Sequence, residues 1–293
     1  MSALHAPAPA VRRALLLAPA LAVVGVFFVG GLAQALLQSL GFSPLVGESR
    51  WSLDAYRQVA GDPAVRASIA ITLRISFVAT ATATVLGVLI ALGVRRLERG
   101  RRWTTQLLQG SLAIPHIVGA LCITLLLSPS GSLSRLAAAV GLVDTPADFP
   151  AVTQDAFGWG IIAEYVFKET PFIAVIALAA LTTRSDRLED VSRVLGANRP
   201  QRLRHVTIPL LAAPVAAASV LVLAFTMGSY EVPLVLGRPF PAPLSVVAFE
   251  TFSDTDLTAR PQAMAIAVLI ATLTTIVAVL YVLVLRTMSR RTG

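Results

Sequence analysis

The chain has 293 residues, of which 56% are hydrophobic and only 14% charged, with a mean hydropathy of +0.76. A water-soluble domain of this size carries about 25% charged residues, and here the apolar residues gather in long blocks, so most soluble folds are excluded and a polytopic membrane protein is indicated. The formal charge of +8 does not indicate nucleic acid as a partner, because the arginines fall in short clusters between apolar blocks, as they do in membrane loops.

A helix needs roughly 20 largely apolar residues to cross the ~30 Å hydrocarbon layer. Six stretches approach that length, at about 14–37, 69–94, 107–128, 158–181, 206–227 and 264–285. Strand-like alternation of comparable length is missing, and lipid admits only helices or closed barrels. The expected fold is therefore all-α, with six transmembrane helices in one domain over 1–293.

The first stretch follows Arg12 and Arg13 and contains Ala33-Gln34-Ala35, which resembles a cleavage site. Its apolar run outlasts a signal peptide's h-region of about 7–15 residues, so it reads as an uncleaved span. Span two carries Arg74 near its outer end, where its head would snorkel to the interface. Span three opens on Ile114-Pro115-His116 and holds the single cysteine, Cys122. One cysteine allows neither an intrachain disulfide nor a Cys-based metal site, and Cys122 reads as a small packing residue. His116 reads as a packing or hydrogen-bonding residue in a kinked span. With His5, His116 and His205 on separate segments, no metal site is expected.

Span four carries Glu164, Lys168 and Glu169, with Pro171 set to kink the helix behind them. Ionisable groups inside spans are costly and point to function. Two readings are open: a residual negative charge on a translocation path for a cationic solute, or a self-satisfied Glu164–Lys168 pair with Glu169 facing water. Tyr230 and Glu231, at the outer end of span five, are further candidates for the path or for contact with an external partner.

Lys168, the only lysine, follows Phe167, so the chain has no Gly-Lys-Ser/Thr phosphate loop, and ATP-driven work would need another subunit. Catalytic residues are not apparent either: paired carboxylates, a nucleophile elbow and a zinc signature are all missing, and no enzyme activity is expected.

Orientation follows from counting arginines. Sixteen lie at 12–13, 95–102, 184–204 and 286–291, against six in the alternate segments at Arg50, Arg57, Arg66, Arg135, Arg238 and Arg260. The rich side is cytoplasmic by the positive-inside rule, and both termini fall on it.

The inner segment between spans four and five has helix punctuation of its own. Asp186 and Glu189 have capping-box spacing; Leu188, Val191 and Leu195 give one apolar face; Gly196 suits a left-handed helix end. After Ala197, Asn198 and Gln201 repeat the capping spacing around Pro200, and the second helix is expected to run into span five. From composition alone this short helix either rests on anionic lipid heads or docks on a protein.

The run from Asp190 to Ala197, followed by Ile208-Pro209, resembles the EAA motif of permease subunits in binding-protein-dependent ABC importers. It departs from that pattern in having Asp190 for the usual Glu, and Val191-Ser192 for Ala-Ala. Ile114-Pro115-His116, Ser130-Gly131-Ser132-Leu133, the stretch from Lys168 to Phe172, the stretch from Gly228 to Pro233, and Leu236-Gly237 extend the likeness over most of the chain, closest to the spermidine/putrescine branch.

The resemblance implies a type I permease fold in a bacterial inner membrane. It also implies a second permease subunit (related but different in that branch), a cytoplasmic ATPase dimer holding ATP and Mg, an external solute-binding protein, and a polyamine-like solute; thiamine, iron, phosphonate and sugar permeases are near alternatives. Leu188, Asp190, Val191, Arg193, Leu195, Gly196 and Ala197 would form the ATPase-coupling helix and its bend, with Asp190 and Arg193 pairing with each other or with the partner. A secondary transporter without an ATPase is the rival, and the chain shows none of the inverted repeats usual in that class.

Overall fold

The computed structural model describes residues 9–42, 50–97, 99–145, 148–181 and 183–291. Glu48 and Glu98 lie outside the described residues, as do the side chains of Arg12, Arg13, Arg184, Asp186, Arg187, Arg286, Arg290 and Arg291.

The described residues contain helices and no strand. In chain order they are α1 (Pro9–Ser39), α2 (Asp54–Gly61), α3 (Pro63–Arg95), α4 (Arg101–Leu112), α5 (His116–Leu127), α6 (Ser132–Ala139) and α7 (Trp159–Ala180), then α8 (Thr183–Val194), α9 (Arg199–Arg202), α10 (Ile208–Gly228), α11 (Glu231–Leu236), α12 (Leu244–Phe252) and α13 (Arg260–Arg291). By length and composition, five stretches can cross a membrane: Leu16–Ser39, Pro63–Arg95, His116–Ala139, Arg199–Gly228 and Leu257–Val284. Helix α7 has 22 residues, about 33 Å of helix, but contains three ionisable side chains.

The third expected span, 107–128, is not one helix. Helix α4 stops at Leu112 and α5 starts at His116, with Pro115 extended between them at φ −61° and ψ 145°. Proline lacks an N–H and bars its predecessor from helical geometry, so the crossing stretch shifts to 116–139. None of the residues of α4 is buried. Cys122 on α5 is exposed and does not pack in the core, contrary to the sequence expectation. Because α5 is apolar on every side, its sequence does not reveal which face is inward.

The chain divides into two compact units, Met1–Gly61 with Glu250–Leu269, and Asp62–Phe249 with Ile270–Gly293. In the first, Leu16, Val26, Phe27 and Phe28 of α1 are exposed, and the Ser39 hydroxyl meets the Tyr56 hydroxyl of α2 at 2.7 Å. Further along this unit, the Arg260 guanidinium lies 5.2 Å over the Phe252 ring.

The core of the second unit is the seam of α3 on α7. Ala79, Ala83, Gly87 and Ala91 recur every fourth residue on α3, the spacing that lets two helix backbones approach closely. A Cβ at Gly87 would lie 2.8 Å from Ile173 Cβ and 3.0 Å from the Thr170 carbonyl. Around the seam, Ile71, Ile75, Ile161 and Tyr165 form one buried cluster with Val232 and Leu236 of α11. Ile173, Ala177, Leu211 and Val222 form another with α10.

The ends of these helices are fixed by side chains. Asp62 caps α3 at Ala64 N, 2.7 Å away, with Pro63 in the first turn. Asp155 accepts from the N–H groups of Phe157, Gly158 and Trp159 at 2.7–2.9 Å. Arg74 donates to the Ala156 carbonyl at 2.7 Å and lies 4.7 Å over the Phe157 ring. The same guanidinium thus ties span two to the entry of α7.

Candidate functional site

The segment from α8 to α10 has the punctuation expected of it at its far end and differs at its start. Helix α8 begins at Thr183, so Asp186 lies inside it and is not its N-cap. At the C-terminus, Gly196 adopts φ +84°. Ala197 N–H donates to the Ser192 carbonyl at 2.9 Å and Gly196 N–H to the Arg193 carbonyl at 3.0 Å, the paired bonds of a Schellman motif. A reciprocal capping box then joins Asn198 and Gln201 at 2.8 and 2.9 Å, with Pro200 in the first turn of α9. A π-helical turn at Leu203–Thr207 carries the chain into α10 without a break, so the second helix does run into span five.

Glu189, read from sequence as half of a capping box, has another role. Its Oε1 accepts from Arg95 Nη1 at 2.7 Å and from the Thr207 hydroxyl. One carboxylate therefore ties α8 to the end of α3 and to the start of α10. Partial burial pushes the Glu189 carboxyl up, but hydrogen bonds from Thr207 and Arg95 and the charges of Arg95 and Arg202 outweigh this and hold it below the ordinary value.

Leu188, Val191 and Leu195 lie on one side of α8 beside Val194, and all four are exposed, Leu188 at 42%, Val191 at 57%, Val194 at 87% and Leu195 at 81%. Asp190 and Arg193 pair with each other at 3.3 Å, both well exposed. The Ala197 carbonyl accepts from Arg202 Nη1 at 2.8 Å, and a Cβ at Gly196 would meet nothing within 4 Å. The result is a short, rigid helix with a bare apolar face, anchored from behind by Glu189.

The three ionisable residues of α7 are buried, with Glu164 0%, Lys168 4% and Glu169 8% exposed, so Glu169 does not face water here. Glu164 pairs with His116 Nδ1 at 3.1 Å rather than with Lys168, and His116 Nε2 is 3.6 Å from Glu169 Oε1. Lys168 Nζ donates to the carbonyls of Ser111 and Ile114, each at 2.6 Å, which the break at Pro115 deprives of helical partners. The His116 ring also lies 4.7 Å from that of Phe225, and a Cβ at Gly119 would come within 2.8 Å of Glu164 Oε1. This cluster locks α7 onto the α4–α5 break. The sequence showed the ionisable residues of span four and the proline beside His116 as separate signals, and residues 48 or more positions apart leave no local pattern that joins them.

Tyr230 stacks on Phe249 at 4.8 Å, and Glu231 is exposed in the first turn of α11. Neither approaches the α7 cluster through a hydrogen bond or ion pair among the described residues. A hollow of about 620 Å³ between α4 and α7 is lined by Gln106 and Gln109, polar residues that the sequence reading passed over.

The fold is that of an ABC-importer membrane subunit. The chain superposes on a bacterial ABC transporter involved in the import of the acidic polysaccharide alginate with a TM-score of 0.73, covering 96% of this chain and 97% of that one at 21% identity. The family of binding-protein-dependent transport system inner membrane components matches residues 83–290, and the chain belongs to it.

Among relatives, the probable ABC transporter permease protein y4fN of Sinorhizobium fredii is 29% identical over 63% of this chain and 32% of its own length. The chain thus spans about a third of that relative. The sulfate transport system permease protein CysT of Salmonella typhimurium is 27% identical over 67% of this chain and 68% of its own.

Proposed function

We propose that the chain is one permease subunit of an ATP-driven importer, forming half of a solute path with a second, related permease. Its arginine-rich end faces the cytoplasm, where α8 docks on an ATPase subunit that binds the ATP and Mg. The observation that carries this reading is the bare face of Leu188, Val191, Val194 and Leu195 on a helix closed by Gly196 and tied through Glu189 to α3 and α10. Motion imposed on α8 reaches two long helices at once, which is what an ATPase-driven switch between two states requires. An external solute-binding protein delivers the solute at the opposite end, near Tyr230 and Glu231. α7, ionisable residues included, serves as the sixth span.

The solute is a small polar one selected by the binding protein. The polyamine expectation rests only on the branch resemblance: the similar proteins are named for sulfate and alginate transport, and the charges of α7 are engaged by groups of this chain. Glu164 and Lys168 therefore act as a lock behind the path, with Glu169 at its edge.

Co-expression with the neighbouring transport components tests the assignment. A stable ATPase partner and uptake only with ATP, ATPase and binding protein are expected. Solute uptake by this chain alone in proteoliposomes would instead establish a secondary transporter.

A further inference from the structure

A second site lies on the other side of α8. A cleft of about 940 Å³ separates the ends of α3, α8 and α9, and five guanidiniums line it, those of Arg95, Arg96, Arg193, Arg199 and Arg202. Among the described residues two carboxylates line it with them, Glu189 bonded to Arg95 at 2.7 Å and Asp190 to Arg193 at 3.3 Å. Arg202 spends one N–H on the Ala197 carbonyl. Arg96 and Arg199 are exposed and form no ion pair among the described residues. Among the described residues guanidiniums thus outnumber carboxylates five to two in the lining, which favours an anion over a neutral ligand.

The wall of the cleft identifies which anion. Arg95 ends the 33-residue α3, Thr207 immediately precedes the apolar α10, and Leu92 and Leu203 supply apolar wall to the same cleft. Arginines beside an apolar wall, next to the ends of two long apolar helices, suit a ligand that joins an anionic head to apolar chains. Guanidinium forks suit the paired oxygens of a phosphodiester. Leu188, Val191, Val194 and Leu195 do not line the cleft, so the apolar face of α8 and the basic cleft are separate surfaces that can be occupied together.

We propose that this cleft binds the phosphate of an anionic phospholipid headgroup, with Arg96 and Arg199 as its cationic ligands and the acyl chains leaving past Leu92 and Leu203. The site is independent of the solute and of the ATPase, and holds whether or not the chain is an importer subunit.

The test uses the full chain, delipidated in detergent and loaded with phosphatidylglycerol, phosphatidylcholine or inorganic phosphate, with bound lipid counted by native mass spectrometry. The wild type should retain phosphatidylglycerol over phosphatidylcholine, and Arg96→Gln with Arg199→Gln should weaken that retention by about tenfold or more, at roughly 1 kcal/mol per arginine near a lipid surface. Arg96→Lys with Arg199→Lys, which keeps the charge, should retain most of it and so separates lost binding from lost folding. Equal retention of the two lipids, or of phosphatidylglycerol by wild type and Gln variant, overturns the proposal. Displacement of the lipid by millimolar inorganic phosphate would mark a free-phosphate site and overturn the lipid assignment. Loss of ATPase co-purification in the Gln variant, with lipid retention unchanged, would assign the cleft to the ATPase interface instead.

Discussion

Two residues carry opposite kinds of information. Gly196 is required for its backbone: at φ +84° an L side chain is strained by about 1–2 kcal/mol, although space around it is open. Gly196→Asp should leave membrane insertion and expression intact while abolishing ATP-driven uptake, because the bend behind the docking face is lost; a variant that transports normally would show that the bend has no coupling role. Glu189 matters for its side chain. Glu189→Ala removes the acceptor shared by Arg95 and Thr207 and should cost roughly 1–3 kcal/mol in thermal unfolding, with uptake falling further than stability because α8 loses its tie to both spans. Its carboxyl lies below the ordinary value of 4.5, so the stabilisation is complete above that pH and disappears as pH falls through the lower folded value. Unfolding scans from pH 7 to 3 should show a larger loss in the wild type than in Glu189→Gln, since the other hydrogen-bonded carboxylates titrate in both. Gly196 was legible because a helix end is a local pattern, whereas the partners of Glu189 lie 94 and 18 residues away and no spacing rule connects them.

Among the elements, the α4–α5 break is the least expected feature and the most tightly held. Lys168 donates to two of the carbonyls at the break, those of Ser111 and Ile114. Lys168→Met should therefore lower the melting temperature in detergent, by an amount equivalent to roughly 2–3 kcal/mol, and loosen α4 in hydrogen exchange before any other element. Exchange rising evenly across the chain, or unchanged in α4, would contradict this tether. Gly87→Leu should destabilise the α3–α7 seam by a similar margin, since the new side chain meets Ile173 and the Thr170 carbonyl at once. Pro115 was visible in the sequence and was read as a kink; that it ends one helix and starts another depends on Lys168, which supplies the donors that make a full break tolerable in lipid. The long helices α3, α10 and α13 were legible to within several residues because length and hydrophobicity alone define them. The inward face of α5 was not, as a helix apolar all round carries no directional signal.

For the molecule as a whole, the charge pattern proved more telling than the hydrophobic majority. Sixteen arginines against six predict one arginine-rich side, and the structure gathers Arg95, Arg96, Arg193, Arg199 and Arg202 around a single cleft there, beside the helix whose apolar face is bare. The central claim is that this bare face meets an ATPase. Leu195→Cys in a Cys122→Ser background, cross-linked in membranes containing the assembled transporter, measures it most directly. An adduct of this chain with the ATPase, changing in yield when ATP is added, is the predicted result. Adducts confined to lipid reagents or to this chain, in a transporter that still hydrolyses ATP and imports its solute, would contradict it.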